Sequence, residues 1–450
     1  MGEIFDLIVI GTGEAGSAAA YTCREAGWTV AIIDKQPFGG TCALRGCDPK
    51  KILVGVADLA DWYTRMQGRG IVGEHVRIDW PALMRFKRSF TDPVPEDREQ
   101  GFREAGIVTY HGVARFVDRT TIQADGRTLT GRYIVIAAGA RPQTLRIPGE
   151  EFLTTSTQFL ELEALPVRIV FVGGGYIAAE FAHVAARAGA QVTIIHRGTR
   201  PLERFDADLV AQWQRATQEA GIRLELNAAV RAVEKKDNRL IVHAIRGDEE
   251  YTWEADMVVH AAGRVPEIDE LDLAKGNVQA GTRGVVVNDF LQSASNPVVY
   301  AGGDSAATDG LPLTPVAAYD GKVIAANLLR GNHRKPDYSV IPTVVFSLPP
   351  LAAVGLSEQA AKDRGLRFTV RHEDTSDWYS SRRIGIKYSS FKVLVDEENE
   401  RILGAHVFGP HADDVINLFA LAMRSEVKAS QVRRALYSYP SVSGDVRYMV

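Results

Sequence analysis

Two stretches of the chain show the same order of apolar and polar segments. In the first, an apolar run at residues 4–10 leads through glycines into the helical composition EAGSAAAYTCREAG, and a second apolar run follows at residues 28–33. From residue 168, the stretch RIVFVGGGYIAAEFAHVAARAGAQVTIIHR repeats this order, with its helix over residues 176–188. Strand, tight turn, helix and strand form the pattern of a dinucleotide-binding βαβ unit. The sequence therefore predicts two such units in one chain.

The segments between and after these units predict further elements. Helical composition opens at Pro49 and recurs over residues 80–105, and alternating strands follow over residues 107–138. The pair DN at residues 237–238, between VRAVEKK and RLIVHAI, indicates a β-hairpin. After residue 342, strand patterns precede helical ones, which is typical of an α+β domain.

Composition and charge exclude several classes of protein. The formal net charge of −4 lacks the basic excess of a nucleic-acid-binding surface. No apolar run approaches the ~20 residues that span a bilayer, and the first residues lack a basic n-region, so we expect no membrane segment and no signal peptide. The chain has three cysteines, Cys23, Cys42 and Cys47. So few cysteines favour a reducing, cytoplasmic setting, where a close pair is catalytic more often than structural.

Glycines follow the first strand of each predicted βαβ unit. Gly11, Gly13 and Gly16 let the backbone approach a pyrophosphate at the positive end of the next helix, and Asp34 ends the second strand, where a carboxylate accepts from a ribose hydroxyl. The alternative is a tight turn without a ligand. In the second unit no acid takes this position, and the arginines at residues 197 and 200 suit a 2′-phosphate. NADPH is therefore favoured over NADH, the alternative being a solvated loop.

Four residues separate Cys42 from Cys47, just before the predicted helix at Pro49. Side chains at this spacing can meet on adjacent turns. Cys47 lies nearer the positive helix end, and Lys50 and Lys51 follow it, so its thiolate should be favoured. The alternatives are a metal site, which would need further ligands nearby, and two inert core thiols. Cys23, on the first helix, indicates core packing.

The stretch GGTCALRGCDPKK resembles the GGTCxxxGCxPxK signature of the class I FAD-dependent pyridine nucleotide-disulfide oxidoreductases, such as glutathione reductase, dihydrolipoamide dehydrogenase and mercuric reductase. Further segments resemble the family in family order: AAGARP, GGGYIAAE, YAGGD, LTPVA and IPTVVFS. The resemblance implies an α/β fold with two Rossmann-like domains and a C-terminal α+β dimerisation domain, assembled as a homodimer. We expect an FAD domain at residues 1–148 and 265–332, an NAD(P) domain at 149–264 and a dimerisation domain at 333–450.

The resemblance also implies roles for single residues. Cys47 would face the flavin and Cys42 the substrate, so that electrons pass from NADPH through FAD to their disulfide. Lys50 and Glu180 match an ion pair beside the flavin ring, and Tyr176 matches an aromatic over the nicotinamide pocket. Taken alone, Glu180 and Tyr176 would indicate a helix-surface acid and a packing aromatic. The positions that match cofactor-binding residues are Gly11, Gly13, Glu14, Ala15, Gly16, Asp34, Lys35, Gly40, Thr41, Lys51, Ala114, Ala138, Gly139, Gly173, Gly175, Tyr176, Ile177, Arg197, Arg200, Gly263, Gly303, Asp304, Thr314 and Ala317.

The chain departs from the family near its C-terminus. Tyr439 stands where the family has a histidine base, Gly444 stands where it has the supporting glutamate, and Asp445 follows. A phenol with an ordinary pKa of ~10 is a poor base at neutral pH, whereas histidine titrates near ~6.5. Tyrosine here resembles mercuric reductase, but VRYMV lacks that enzyme's C-terminal cysteine pair. Tyr21 and Lys322 replace the family's glutathione-contacting arginines, which disfavours glutathione.

These features predict an FAD enzyme that takes electrons from NADPH and passes them through Cys42 and Cys47 to a disulfide or other sulfur-containing small molecule, with Tyr439 as proton donor or substrate contact. Three alternatives stay open: a reductase of a thiophilic metal ion, Hg(II) or Cu(II); an NAD(P)H oxidase or quinone reductase; and a redox-sensing flavoprotein without turnover. No resident metal is expected in any of these.

Overall fold

The computed structural model describes residues 2–450. Its strands are β1 (Glu3–Ile10), β2 (Val30–Asp34), β3 (Val108–His111), β4 (Arg115–Phe116), β5 (Thr121–Ala124), β6 (Arg127–Ile136), β7 (Ala140–Pro142), β8 (Leu153–Thr154), β9 (Arg168–Val172), β10 (Gln191–Ile195), β11 (Arg223–Glu225), β12 (Ala229–Lys236), β13 (Arg239–Arg246), β14 (Glu249–Ala255), β15 (Met257–His260), β16 (Arg264–Pro266), β17 (Ala280–Gly281), β18 (Gly284–Val285), β19 (Val299–Ala301), β20 (Thr343–Val345), β21 (Leu351–Gly355), β22 (Phe368–Asp374), β23 (Ser390–Asp396) and β24 (Ile402–Phe408).

The α-helices are α1 (Glu14–Glu25), α2 (Gly40–Arg45), α3 (Cys47–Met66), α4 (Trp80–Thr91), α5 (Val94–Glu104), α6 (Ser156–Phe159), α7 (Tyr176–Arg187), α8 (Ala207–Glu219), α9 (Thr314–Arg330), α10 (Glu358–Asp363), α11 (Tyr379–Arg382), α12 (Ala412–Arg424), α13 (Ala429–Arg434) and α14 (Val446–Met449). Short 3-10 helices cover Glu150–Phe152, Asp269–Leu271, Gly303–Ser305 and Val442–Asp445. Within residues 2–450, no helix is both long enough and apolar enough to cross a membrane.

The chain divides into two compact units. The first comprises residues 2–49, 86–143 and 264–338, and the second comprises residues 50–85, 144–263 and 339–450. The three-domain division expected from the sequence stays a prediction, since this division groups the second nucleotide-type sheet with the C-terminal segment.

The first unit is built on a sheet of order β3-β2-β1-β6-β5-β4, with β19 also paired to β6. The strands β3, β2, β1, β6 and β19 are parallel, whereas β4, β5 and β6 form an antiparallel meander. The central strands β1 and β2 are largely buried and carry nearly continuous apolar runs, as a sheet covered by helices requires. Helices α1 and α9 pack so closely that a Cβ on Gly321 would lie 2.3 Å from the Ala15 carbonyl oxygen.

The second unit contains three sheets. A parallel sheet of order β11-β10-β9-β15-β8 repeats the nucleotide-type arrangement, and the antiparallel sheet β12-β13-β14 is inserted in the chain between β11 and β15. The C-terminal segment forms an antiparallel sheet of order β20-β21-β24-β23-β22, against which the apolar face of α12 packs. The fold is therefore the expected one, with two Rossmann-like sheets and a C-terminal α+β part.

Most of the predicted elements are present, and two are corrected. The hairpin at residues 237–238 is confirmed, since β12 and β13 pair across Asp237, whose φ is 54°. The helix predicted to begin at Pro49 is α3, which begins at Cys47, because proline is tolerated throughout a first helical turn. The helical stretch over residues 80–105 is two helices, since Pro93 cannot continue α4.

Candidate active site

The first glycine turn combines two tight positions with one open position. Gly11 has a φ of 106°, and a Cβ there would lie 2.2 Å from the Ala137 carbonyl oxygen. A Cβ on Gly16 would lie 2.0 Å from the Gly11 carbonyl oxygen. At Gly13, by contrast, the nearest atom to such a Cβ is Gly40 Cα at 3.9 Å. The outer glycines are needed by the fold, and the middle one leaves space for a ligand.

Asp34 holds its carboxylate beside this turn. The backbone N–H and the hydroxyl of Thr12 donate to Oδ2 at 2.9 and 2.7 Å, and the Gln36 N–H donates to Oδ1 at 2.9 Å. An ionised carboxylate has about four acceptor positions, so capacity remains for a ribose hydroxyl. The sequence analysis missed Thr12, although it lies within the glycine motif GTGEAG.

The second glycine turn repeats the geometry of the first. Gly173 has a φ of 117°, and a Cβ there would lie 2.2 Å from the Ala261 carbonyl oxygen. Gly175 has no atom within 4 Å of such a Cβ. Ile177 lies in the first turn of α7, and Gly263 lies beyond β15 with a φ of 115°. The turn therefore offers the same kind of open space at the start of α7.

Two arginines lie beyond the strand that follows this turn. Arg197 is exposed shortly after β10, and Arg200 is partly exposed and donates from Nη2 to the Glu203 carbonyl oxygen at 3.0 Å. No hydrogen bond or ion pair engages the Arg197 side chain within residues 2–450. Its guanidinium is thus available to an anionic ligand.

The two cysteines lie close together as thiols. Cys42 lies in α2 and Cys47 is the first residue of α3, and the Cys42 thiol hydrogen-bonds to Cys47. The Thr314 hydroxyl lies 3.2 Å from Cys47 Sγ. The hydrogen bond to Cys47 and then burial raise the pKa of the Cys42 thiol well above its ordinary range. Ionisation of the Cys42 thiol is therefore disfavoured.

A buried ion pair lies at the start of α3 and α7. Lys50 Nζ lies 2.8 Å from Glu180 Oε1, and both side chains are about one-tenth exposed. The Phe346 N–H donates to the same oxygen at 3.0 Å, and the amines of Lys50 and Lys51 lie 4.2 and 3.9 Å from the Phe346 ring centroid. The role of the pair beside a flavin stays a prediction. The sequence analysis quoted IPTVVFS without recognising Phe346 as its partner.

Tyr176, the first residue of α7, is held by a hydrogen bond between hydroxyl groups. Its hydroxyl lies 2.7 Å from Thr343 Oγ1, and burial raises the pKa of the phenol. Its ring also packs against Phe205, with ring centroids 5.7 Å apart. Tyr176 thus has a fixed position, and its role over a nicotinamide stays a prediction.

Several other predicted cofactor-binding side chains have partners within the protein. Lys35 pairs with Glu267 at 2.9 Å and also with Glu270. Lys51 pairs with Asp413 at 3.1 Å, and Glu14 lies 3.6 Å from Arg98. The remaining small or polar positions lie in turns or helix starts of the first unit: Ala15 in α1, Gly40 and Thr41 in α2, Ala114 between β3 and β4, Ala138 and Gly139 beyond β6, Gly303 and Asp304 in a 3-10 helix, and Thr314 and Ala317 in α9.

The C-terminal segment does not rebuild the family's histidine and glutamate. Tyr439 is 91% exposed, and its hydroxyl makes no hydrogen bond within residues 2–450. Asp445 accepts a hydrogen bond from the Ser380 hydroxyl and not from Tyr439. Burial raises the pKa of the Asp445 carboxyl. Asp445 therefore takes over neither the position nor the contact of the missing glutamate.

The first unit fits FAD by two observations. Gly13 and Gly139 both leave open space where a Cβ would point, so a pyrophosphate can approach the backbone of both turns. The Asp304 side chain is partly buried, accepts no hydrogen bond within residues 2–450, and has its pKa raised by burial against the opposing charge of Arg264. Gly13, Asp34 and Asp304 would hold the cofactor. No group of three or more potential metal ligands lies together in the described part of the chain.

Gly13→Ala should separate cofactor binding from folding. Its methyl group has room in the apoprotein, so the free energy of unfolding should change by less than about 0.5 kcal/mol, while FAD affinity should fall at least about tenfold. Thermal unfolding of the apoprotein and fluorescence titration with FAD measure the two effects. Gly16→Ala is the control, because its Cβ clashes with backbone and should destabilise the apoprotein itself. Unchanged FAD affinity in Gly13→Ala would contradict this account of the open position.

Comparison with known proteins agrees with this geometry. A family model described as pyridine nucleotide-disulphide oxidoreductase matches residues 5–321, and that family's dimerisation domain matches residues 341–450. A glutathione reductase from Burkholderia cepacia is 31% identical over 439 residues, which cover 98% of this chain and 97% of that protein.

The names of two further relatives refer to a metal ion. A mercuric reductase from Staphylococcus aureus is 31% identical over 437 residues, covering 93% of this chain and 77% of that protein. The structure of the Cu(II) complex of the HOCl-induced flavoprotein disulfide reductase RclA from Escherichia coli matches with a TM-score of 0.89 at 26% identity, covering 100% of this chain and 99% of that one. The chain therefore belongs to the class I pyridine nucleotide-disulfide oxidoreductases and is an FAD-dependent oxidoreductase with NAD(P)H as its electron donor.

Proposed function

We propose that this flavoenzyme uses NADPH to reduce a disulfide or other sulfur-containing small molecule through Cys42 and Cys47. The supporting observation is the close pair of Cys42 and Cys47, with the Thr314 hydroxyl 3.2 Å from Cys47 Sγ and the pKa of the Cys42 thiol raised by its hydrogen bond to Cys47 and by burial. A thiolate is the nucleophile in disulfide exchange and the ligand for soft metals, so such a pair suits a thiophilic acceptor.

The residues around the pair support an order of events. Bound FAD supplies two-electron transfer between NADPH and the dithiol. Once Cys47 is a thiolate, the Thr314 hydroxyl at 3.2 Å can only donate to it, which stabilises the charge there. Cys42, which is half-buried, is the thiol that the family resemblance assigns to the acceptor. Overall, one NADPH and one proton reduce one disulfide to two thiols.

A second candidate acceptor is a thiophilic metal ion such as Cu(II) or Hg(II), which we regard as substrate and not as a resident metal. Disulfide exchange needs an acid to protonate the leaving thiolate. Tyr439 is exposed, and its hydroxyl makes no hydrogen bond within residues 2–450. Metal reduction needs no such acid: one NADPH reduces two Cu(II) ions to Cu(I), or one Hg(II) ion to Hg(0), and releases one proton. The similarity to mercuric reductase and to the Cu(II) complex of RclA supports this candidate.

The setting of the proposed reaction follows from three further features. The exposed Arg197 guanidinium beyond β10 favours NADPH over NADH. The match to a dimerisation domain over residues 341–450 supports a homodimer. The small number of cysteines and the close Cys42–Cys47 pair favour a reducing compartment, for which we propose the cytoplasm.

Replacing the thiol that meets the acceptor tests the proposed route. Cys42→Ser in the FAD-loaded enzyme should lower acceptor-dependent NADPH consumption at least about 100-fold for both disulfides and metal ions, because a hydroxyl cannot replace a soft nucleophile. Cys23→Ser is the matched control, since burial raises the pKa of the Cys23 thiol to about 12 and keeps it inert. Equal NADPH consumption by Cys42→Ser and by the unaltered enzyme with every acceptor would contradict the proposal and favour an oxidase or quinone reductase.

The NADPH preference has a separate test. Arg197→Leu should lower kcat/KM for NADPH about 10- to 100-fold, the effect of losing one charge-assisted contact to a phosphate, and should leave kcat/KM for NADH nearly unchanged. Steady-state kinetics with a fixed acceptor measure both constants. Arg231→Leu, at an exposed arginine of β12, is the control. Equal losses with the two nucleotides would show that Arg197 does not contact a 2′-phosphate.

A further inference from the structure

Asp48 brings a negative charge to the outer thiol of the pair. Its Oδ1 lies 3.9 Å from Cys42 Sγ, a weak hydrogen-bond contact for sulfur. The side chain is exposed and lies in the first turn of α3. The pKa of the Cys42 thiol, raised first by its hydrogen bond to Cys47 and then by burial, is raised further by the negative charge of Asp48. An acceptor that reaches Cys42 must therefore approach this carboxylate.

Asp48 is not paired with the lysines that follow it on α3. The positive end of α3, a helix of 20 residues, would by itself favour anions, and an acid in the first turn opposes that preference. The two lysines that follow in the sequence are each paired with a carboxylate: Lys50 with Glu180 and Lys51 with Asp413. Their charges are offset by these partners, whereas Asp48 has no cationic partner within residues 2–450.

We propose that Asp48 sets the preference of the enzyme for the charge of its acceptor, making Cys42 selective for cationic thiophilic acceptors over anionic disulfides. This inference rests on the proposed reduction through Cys42 and Cys47 and narrows its substrate class. The acceptors in this class share a net positive charge and a centre that reacts with thiols. A soft metal cation and a disulfide that carries ammonium groups both meet this description. A polyanionic disulfide would be repelled from the same thiol.

Both kinds of acceptor give a balanced reaction at this site. With a disulfide, the Cys42 sulfur attacks one acceptor sulfur and releases the first thiol, and Cys47 then displaces the second thiol from the mixed disulfide. The Cys42–Cys47 disulfide forms, and the two protons of the dithiol pass to the two released thiols. With Cu(II), two ions each take one electron, the same disulfide forms, and two protons are released. One NADPH and one proton then restore the dithiol.

Matched disulfides of opposite charge test the inference without a change of chemistry. The probes are cystamine, a dication, 3,3′-dithiodipropionate, a dianion, and Cu(II). Asp48→Asn in the FAD-loaded enzyme should lower kcat/KM for cystamine and Cu(II) about tenfold and raise it for the dianion by a similar factor, as removing one charge about 4 Å from the thiol predicts. Asp48→Glu should retain the order of the unaltered enzyme.

Two controls separate charge from structure. Asp97→Asn removes an exposed first-turn acid from α5 and should leave the ratio of the two disulfide constants unchanged. Raising the ionic strength should shrink this ratio in the unaltered enzyme more than in Asp48→Asn, because salt screens exposed charges. A loss of local structure would lower all rates together, whereas loss of the charge moves the two disulfides in opposite directions.

The outcomes distinguish this inference from the proposed function. If the unaltered enzyme reduces these probes only with Cys42 present, but Asp48→Asn leaves the cystamine to dithiodipropionate ratio unchanged, charge selection by Asp48 is wrong and the thiol route stands. If Cys42→Ser reduces the probes as fast as the unaltered enzyme, the proposed function itself falls.

Discussion

Both nucleotide-type units depend on the close approach of one glycine to the carbonyl oxygen at the end of a neighbouring parallel strand. Gly11 meets Ala137 and Gly173 meets Ala261 in the same way, with 2.2 Å between a notional Cβ and the oxygen in each case. No side chain fits there, and the positive φ of both glycines is strained for other residues. This contact lets α1 and α7 begin directly beyond the strand ends, with their free N–H groups and open glycine positions towards a ligand.

A second close approach of a glycine to a carbonyl oxygen lies between the two cysteines. Gly46 separates α2 from α3 with a φ of −144° and a ψ of −115°, and a Cβ on it would lie 2.8 Å from the Thr41 carbonyl oxygen. The break lets Cys42 and Cys47 meet although they lie in different helices. The hydrogen bond to Cys47 raises the pKa of the Cys42 thiol, so the two sulfurs are not equivalent. The pairing of the two thiols thus depends on a local backbone break.

Sequence reasoning reached the features that depend on residues close together in the chain. The glycine turns, Asp34 at its strand end and the cysteine spacing all lie within short segments whose pattern has a physical cause. It also placed Lys50 and Glu180 as a pair, but only through resemblance, since 130 residues separate them. The match to family segments could not show that Tyr439 is exposed and that Asp445 bonds to another part of the chain.

Features that depend on side-chain direction were not predictable in this way. Asp48 follows Cys47 directly in the sequence, yet its carboxylate contacts Cys42 in the preceding helix, across the break at Gly46. Asp445 lies next to the expected acid position but bonds to Ser380, a residue of α11 that no periodicity connects to it. The helix boundaries at Cys47 and Pro93 depended on how far proline is tolerated near a helix start, which composition alone does not define.

The central claim is that electrons pass through Cys42 and Cys47, and an anaerobic titration of the FAD-loaded enzyme with NADPH tests it most directly. The account predicts a long-wavelength absorption band from the Cys47 thiolate beside oxidised flavin, present in the unaltered enzyme and absent from Cys47→Ser. Bleaching of the flavin without this band in the unaltered enzyme would contradict the account, because electrons would then leave the flavin without reaching the thiols.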